Sequence, residues 1–302
     1  MCDQYATRLL MIEPVSFGYN KETAVNNYFQ IFDDENPKKI QKKALEEFRN
    51  FGSILKDNNI DFITFKDTYI PHTPDSIFPN NWISFHENNI VVIYPMYAKN
   101  RRLEKRYDIF KYIYKGSIYN IINLSDFENE GSFLEGTGSM VLDRKNKIAF
   151  ASLSERTNEK LFYLFCKRLN YVPITFKSYQ NTCYSRLVYH TNVMLSVCDD
   201  FAIICKDAIP DANDINKIYE HLANKEVIEI SINQMHHYAG NVLQVKSKYG
   251  YKFLLMSQSA YNSLNNIQLK AIYNHNNILT VPIPTIEKYG GGGVRCMLAE
   301  IY

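Results

Sequence analysis

Five times along the chain, an amphipathic helix gives way to a polar turn and then to a short apolar strand. Helix-like stretches fall near residues 37–57, 101–114, 155–169, 211–223 and 258–274. In the first, "IQKKALEEFRNFGSIL", Ile40, Ala44, Phe48, Phe51 and Leu55 recur at spacings of three and four, which gathers them on one face. The strand-like pieces that follow read "NNIDFITF", "GSIYNIINL", "NYVPITF", "KEVIEISI" and "NNILTVPI". They recur at roughly 50 to 60 residues, the order of a repeated supersecondary unit. Between them lie further β-like runs, "WISFHENNIVVIY", "SMVLDRKNKIAFASL" and "NVMLSVCDDFAIIC", the last two reading as hairpins with tips at "DRKNK" and "CDD". Five such modules suggest a closed α/β ring that brings distant positions to a common axis. No Pro/Gly/Ser-rich linker divides the chain, so residues 1–302 are expected to form a single domain. Periodicity by itself leaves an open-sheet α/β protein as the alternative.

Composition narrows the function more than the fold. With 46% hydrophobic and 22% charged residues, the chain has enough apolar material for a large core. A formal net charge of +2 is too small to imply nucleic acid or an acidic membrane surface as partner. Cys2, Cys166, Cys183, Cys198, Cys205 and Cys296 are scattered, with neither a C-x-x-C pair nor a disulfide framework, so free thiols are expected. The stretch "MCDQYATRLLMIEPVSF" has no basic n-region, and no segment approaches the length of a membrane span. A reducing cytoplasm is the expected location.

Near the C-terminus stands "YGGGGVRCMLAEIY", residues 289–302. Glycine runs are costly to order, so the backbone must bend sharply there or approach another group closely. No G-K-[ST] follows, which rules out a phosphate loop. The alternative is a plain turn followed by a small apolar core residue. A cysteine nucleophile needs a base, and the base needs a partner to hold its tautomer. Of the seven histidines, His72, His86, His221 and His275 read as surface residues. His236 and His237, in "MHHYAGN", face opposite ways if they lie in a strand and make a poor metal pair. His190, in "LVYHTNVMLSV", stands where a strand begins and can reach a cavity at its end; the alternative is a hydrogen-bonded structural histidine. Glu135, in "SFLEGTGSMVL", precedes two glycines at the start of an apolar hairpin. Buried there, it would need a cation or a histidine beside it; otherwise it is a turn residue facing water.

"LEGTGS", "YHTN" and "GGGGVRCM", in that order, resemble the glutamate, histidine and C-terminal cysteine motifs of the amidinotransferase and arginine deiminase superfamily, the penteins. "DSIFPNNW" resembles the family's F-x-R-D or F-x-E-D segment, and "RRLE" and "LSERTN" are similar to segments of dimethylarginine dimethylaminohydrolases. The likeness covers nearly the whole chain. It implies a five-bladed ββαβ α/β-propeller with pseudo-fivefold symmetry, which agrees with the repeat. It also implies Cys296 as nucleophile, His190 as general acid/base and Glu135 as the group that holds and polarises His190. Arg101 and Arg156 match arginines that bind a substrate α-carboxylate. Asp75 matches a carboxylate near the substrate's amino end, and Phe78 would pack along its aliphatic stem. Arg295 has no assigned role; alternation along a strand would turn it away from its neighbour.

The departures are informative. Arginine deiminases clamp a guanidinium with carboxylates from F-x-R-D and H-x-D, but here Asn81 and Asn192 stand in those places. An amide offers both a donor and an acceptor, which suits the neutral ureido group of citrulline. A guanidinium buried against amides would be left unpaired. Dimethylarginine hydrolases also lack the second aspartate, so Asn81 carries more of this argument. The motif set looks most like that of citrulline hydrolases (citrulline ureidases), which implies hydrolysis of L-citrulline to ornithine, carbon dioxide and ammonia. With no substrate guanidinium to acidify the thiol, a thiolate–imidazolium pair between Cys296 and His190 is expected. The glycines would let the final strand bend into the ring's mouth, with "MLAEIY" closing the last module. A hydrolase acting on arginine or dimethylarginine is the alternative within the family, and a non-catalytic binding protein on the same fold is the alternative outside it. The expected partner is a small amino-acid substrate, with no cofactor, metal, nucleic acid or membrane; the sequence leaves open whether identical chains assemble.

Overall fold

The structure, a computed structural model, describes residues 3–117 and 119–302. Cys2, and Ile118 within "GSIYNIINL", lie outside the described residues. The strands are β1 (Arg8–Glu13), β2 (Phe62–Lys66), β3 (Ile83–His86), β4 (Ile90–Ile93), β5 (Asn120–Asn123), β6 (Val141–Asp143), β7 (Ile148–Ser152) and β8 (Val172–Phe176). They continue with β9 (Leu195–Val197), β10 (Phe201–Ile204), β11 (Glu226–Glu229), β12 (Leu243–Lys246), β13 (Lys252–Ser257), β14 (Asn277–Val281) and β15 (Ala299–Ile301). They form five three-stranded sheets, β15-β1-β2, β3-β4-β5, β6-β7-β8, β9-β10-β11 and β12-β13-β14. In every sheet the first pair is antiparallel and the second parallel. A parallel pair needs a crossover, and one or two helices supply it each time. The result is the five-bladed, pseudo-fivefold α/β propeller that the motif resemblance implies and with which the repeat agrees.

The helix Pro37–Asp57 shows how sequence sets one blade. Asn36 caps it, accepting from Lys38 N–H at 2.9 Å, and Pro37 opens it with a preset φ. All five residues of its apolar stripe are buried. Other helices are shorter than their periodicity suggests. Residues 155–169 yield only Glu159–Leu169, because Asn158 takes the cap and accepts from Leu161 N–H at 3.1 Å. The stretch 101–114 gives a helix at Tyr107–Ile113 and a 3₁₀ turn at Asn100–Glu104, whose three-residue pitch sets Glu104 against Arg101. The stretch 258–274 splits into Gln258–Ser263 and Asn266–Tyr273, since Asn265 and Gln268 form a fresh capping box.

The C-terminal strand corrects one expectation. "MLAEIY" does not close the last module but completes the first: β15 pairs with β1, Leu10 opposite Ala299 and Arg8 opposite Ile301. Thr7 N–H adds a bond to the Ile301 carbonyl at 3.0 Å, and Tyr302 Oη donates to the Gln4 carbonyl at 3.0 Å. The glycines, too, lie outside any strand. Gly290 ends the helix Pro284–Gly290, Gly291 caps it at φ 62°, and Val294–Met297 is a 3₁₀ turn. His86 is not at the surface: it ends β3, 5% exposed, against Ser84 Oγ at 2.7 Å and Arg144 Nη1 at 3.2 Å. His236 closes the short helix Ile232–His236 and His237 caps it, so neither belongs to a strand. Among the described residues, no helix is long and apolar enough to cross a membrane.

Candidate active site

The antiparallel first strand of each blade is entered through a tight segment carrying a polar residue followed by two apolar ones. These are Asn81-Trp82-Ile83, Ser139-Met140-Val141, Asn192-Val193-Met194, Asn241-Val242-Leu243 and Cys296-Met297-Leu298. The apolar pair anchors each segment in the core: nine of these ten residues are buried, and Val141 is half-buried. Propeller symmetry then brings Asn81 and Cys296 onto one small cleft, whose lining also includes Asp75, Phe78, Tyr189 and His190.

Cys296 is 3% exposed. Its Sγ lies 3.3 Å from Asn241 Nδ2 and 3.7 Å from Asn192 Nδ2. Burial raises the thiol above its ordinary range, outweighing the Asn241 hydrogen bond and the charge of Arg295. Arg295 itself points away, to the Leu298 carbonyl at 2.9 Å and Glu300 at 2.6 Å; the 3₁₀ turn, rather than strand alternation, parts it from its neighbour.

His190 Nε2 lies 2.8 Å from Glu135 Oε2. Burial pushes Glu135 up, but Arg156 and the His190 bond more than offset it and hold the carboxyl well below its ordinary range. An ionised Glu135 fixes the tautomer: Nε2 carries the proton, and Nδ1 is left as the basic nitrogen. Burial also lowers the imidazole to about 4 against the opposing pull of Glu135. Burial thus works against the expected thiolate–imidazolium pair in the free protein. Desolvation favours neutral thiol and neutral imidazole, and no hydrogen bond of the described residues joins Cys296 to His190.

Both arginines are buried and engaged. Arg101 grips Glu104 with Nε and Nη2, each at 2.9 Å, and gives Nη1 to Asn81 Oδ1 at 2.7 Å. Arg156 Nε donates to Asn26 Oδ1 at 2.8 Å and Nη2 to the Thr23 carbonyl at 2.8 Å, with Nη1 3.4 Å from Glu135. Asp75 Oδ2 accepts from Asn20 at 2.7 Å and Thr23 at 3.0 Å, while its Oδ1 is buried with no partner. Asn27 and Gln30 reach the Gly290 carbonyl, at 3.3 and 3.2 Å. Phe78 lies against the glycines: a Cβ on Gly290 would come within 2.7 Å of its ring. Gly138 is equally confined, since a Cβ there would meet Asn81 Nδ2 at 2.4 Å and His190 Nδ1 at 2.7 Å.

The structure thus brings Cys296, His190, Glu135, Asn81, Asn192, Asp75, Phe78, Arg101 and Arg156 to one place. Two groups of site residues escaped the motif reading. Asn241 was signalled by the repeat itself, because "AGNVLQV" echoes "HTNVMLSV" one blade earlier. Residues 20–30 were signalled by the long span from Glu13 to Pro37, which holds no regular element; loops of that length are seldom idle.

A family model described as N,N-dimethylarginine dimethylhydrolase, eukaryotic, matches residues 13–302. No curated protein matches the chain. Among solved structures the chain is similar to apo ArgZ, an arginine dihydrolase from the ornithine–ammonia cycle in cyanobacteria. The identity is 17% and the TM-score 0.75, over 97% of this chain and 40% of that one. The N-terminal domain of ArgZ, bound to substrate, is similar over 97% of both chains at 17% identity and a TM-score of 0.73. DDAH from Pseudomonas aeruginosa, complexed with citrulline, is similar over 98% of this chain and 100% of that one, at 13% identity and a TM-score of 0.67. The chain spans about 40% of full-length ArgZ. At these identities the likeness is one of fold.

Proposed function

The chain belongs to the N,N-dimethylarginine dimethylhydrolase family of the pentein superfamily, and from that premise we propose that it hydrolyses the ureido group of L-citrulline. The observation that carries this reading is the amide surround of the sulfur. Asn192 and Asn241 approach Sγ, and Asn81 Nδ2 and His190 Nδ1 converge over Gly138. Among the described lining residues Asp75 is the one carboxylate, and it is tied to Asn20 and Thr23. Such a surround gives to a carbonyl oxygen and accepts from neutral N–H groups, but offers a guanidinium no pair of carboxylates. The citrulline complex of a protein with this fold is in keeping with it.

In the proposed reaction the substrate's α-carboxylate replaces Asn26 on Arg156 and approaches Arg101, and its ammonium takes the unpartnered Oδ1 of Asp75. Phe78 packs along the stem. His190 Nδ1 takes the Cys296 proton as sulfur attacks the ureido carbon, and an amide from Asn81 or Asn192 steadies the oxygen as charge builds on it. His190 then returns that proton to the departing nitrogen, releasing ornithine (or ammonia, in the other order) and leaving the carbonyl carbon bound to Cys296. Water, deprotonated by His190, hydrolyses the thioester; ornithine, carbon dioxide and ammonia are the products overall.

Product analysis with citrulline, arginine and dimethylarginine, supplied separately, tests the reading. Ornithine and ammonia from citrulline alone is the expected result. Citrulline accumulating from either arginine substrate, or ornithine formed from arginine, would instead place the chain with arginine-consuming hydrolases, the reading that likeness to ArgZ favours. No turnover of any of the three would favour a binding protein. A second test concerns Gly138. Gly138→Ala drives a methyl between Asn81 and His190, and displacement of reacting groups by about 1 Å costs on the order of 10²-fold. We expect kcat for citrulline to fall by about that factor while the protein still folds, since overpacking costs about 1–3 kcal/mol.

A further inference from the structure

We propose that Asn241 is a further catalytic residue, a fixed hydrogen-bond donor that holds the Cys296 sulfur and stabilises it as a thiolate. The orientation of the amide is set by its neighbours. Oδ1 accepts from Arg295 N–H at 3.1 Å, so Nδ2 must be the nitrogen. One Nδ2 hydrogen goes to the Asn192 carbonyl at 2.9 Å, which leaves the second for Sγ at 3.3 Å. The side chain has nowhere else to go. Asn241 is fully buried, its own N–H is bound to the Tyr238 carbonyl at 2.8 Å, and Gly293 abuts Oδ1 so closely that a Cβ there would lie 2.7 Å away. One amide thereby links the turn before β9, the turn before β12 and the cysteine's own turn.

The donor answers a need created by the substrate. A neutral ureido group brings no positive charge to the sulfur, so the chain itself must supply the stabilising group. Arg295, the neighbouring cation, is turned to Leu298 and Glu300. Across the cleft stand His190 backed by Glu135, and Asp75 with Arg101 and Arg156. The phenols of Tyr189 and Tyr238 complete the titratable surroundings. None of these groups makes a hydrogen bond to Sγ among the described residues, whereas Asn241 does. Hydrogen bonds to charged groups are among the stronger ones.

The proposal rests on Cys296 being the nucleophile, and its test is made without substrate so that the two can fail separately. The rate of iodoacetamide alkylation at Cys296, located by peptide mapping, is followed against pH in the wild type, Asn241→Ala and Asn241→Asp. The near-isosteric Asn241→Asp keeps an acceptor for Arg295 N–H, and a thermal melt shows that each variant is folded. With the donor lost, alkylation is expected to be about tenfold slower at a given pH, its midpoint moved upward, and more so for Asn241→Asp, which sets an acceptor against the sulfur. Folded variants with the wild-type alkylation profile would overturn the proposal. A shifted profile in a protein that turns over none of the three substrates would uphold the donor and overturn the ureidase reading instead.

Discussion

Cys296→Ala is expected to abolish ornithine release from citrulline, with kcat lower by roughly 10⁶-fold, as when a covalent nucleophile is removed from a site whose other parts remain. Alanine keeps the backbone of the 3₁₀ turn and the packing of Met297 and Leu298 behind it, both fully buried. The residue has no thiol, so no covalent intermediate forms. Citrulline binding should survive, because the residues proposed to take its charged ends, Asp75, Arg101 and Arg156, are untouched. Calorimetry with citrulline and a quenched-flow search for a carbamoyl adduct check both halves of the statement. Turnover within a hundredfold of wild type would assign the chemistry to another group.

Glu135→Gln is expected to be nearly as severe, on the order of 10⁴-fold, the scale seen when a carboxylate that sets a histidine tautomer becomes an amide. Glu135 is surrounded by donors: His190 Nε2–H and Arg156 Nη1–H at Oε2, and Tyr97 N–H at Oε1, 2.9 Å away. A glutamine cannot accept from all three. If its NH₂ faces His190, the ring must give up its Nε2 proton and carry it on Nδ1, which removes the basic nitrogen from the cleft. The pH profile separates this from simple misfolding. Glu135 raises the imidazole, which burial has lowered to about 4. Protonation of His190 should therefore quench the wild type as pH falls through about 4, and the residual activity of the variant should lose its acid limb to lower pH. A variant that keeps wild-type turnover and the same acid limb would show that Glu135 is only structural.

The blades were legible because their signal is local and repeated. The stripe Ile40, Ala44, Phe48, Phe51 and Leu55 needs no tertiary context to be read as one buried face. Helix ends were less legible, since capping by Asn158 and Asn265 overrides a periodic pattern that runs past them. The location of His86 was misread for a different reason: its burial depends on Arg144 and Ser84, which a single segment cannot announce. In the site, motif resemblance found the residues with distinctive chemistry. It missed Asn241, an ordinary residue made special by being locked against sulfur. The direction in which burial shifts Cys296 and His190 was illegible for a related reason. It follows from how completely the turns exclude water, and sequence carries no direct measure of that.

The pairing of β15 with β1 has a consequence for when the chain becomes reactive. Cys296 stands three residues before β15, and that strand finds its partner almost the whole length of the chain away. Contacts of such sequence separation carry the largest closure entropy and tend to form late in folding. The other four sheets can form from residues close in sequence while the cysteine is still unplaced, without Asn241 at its sulfur or His190 across the cleft. A chain in which β15 has not yet met β1 holds that thiol without its partners, so the pairing that completes the first blade also completes the proposed site.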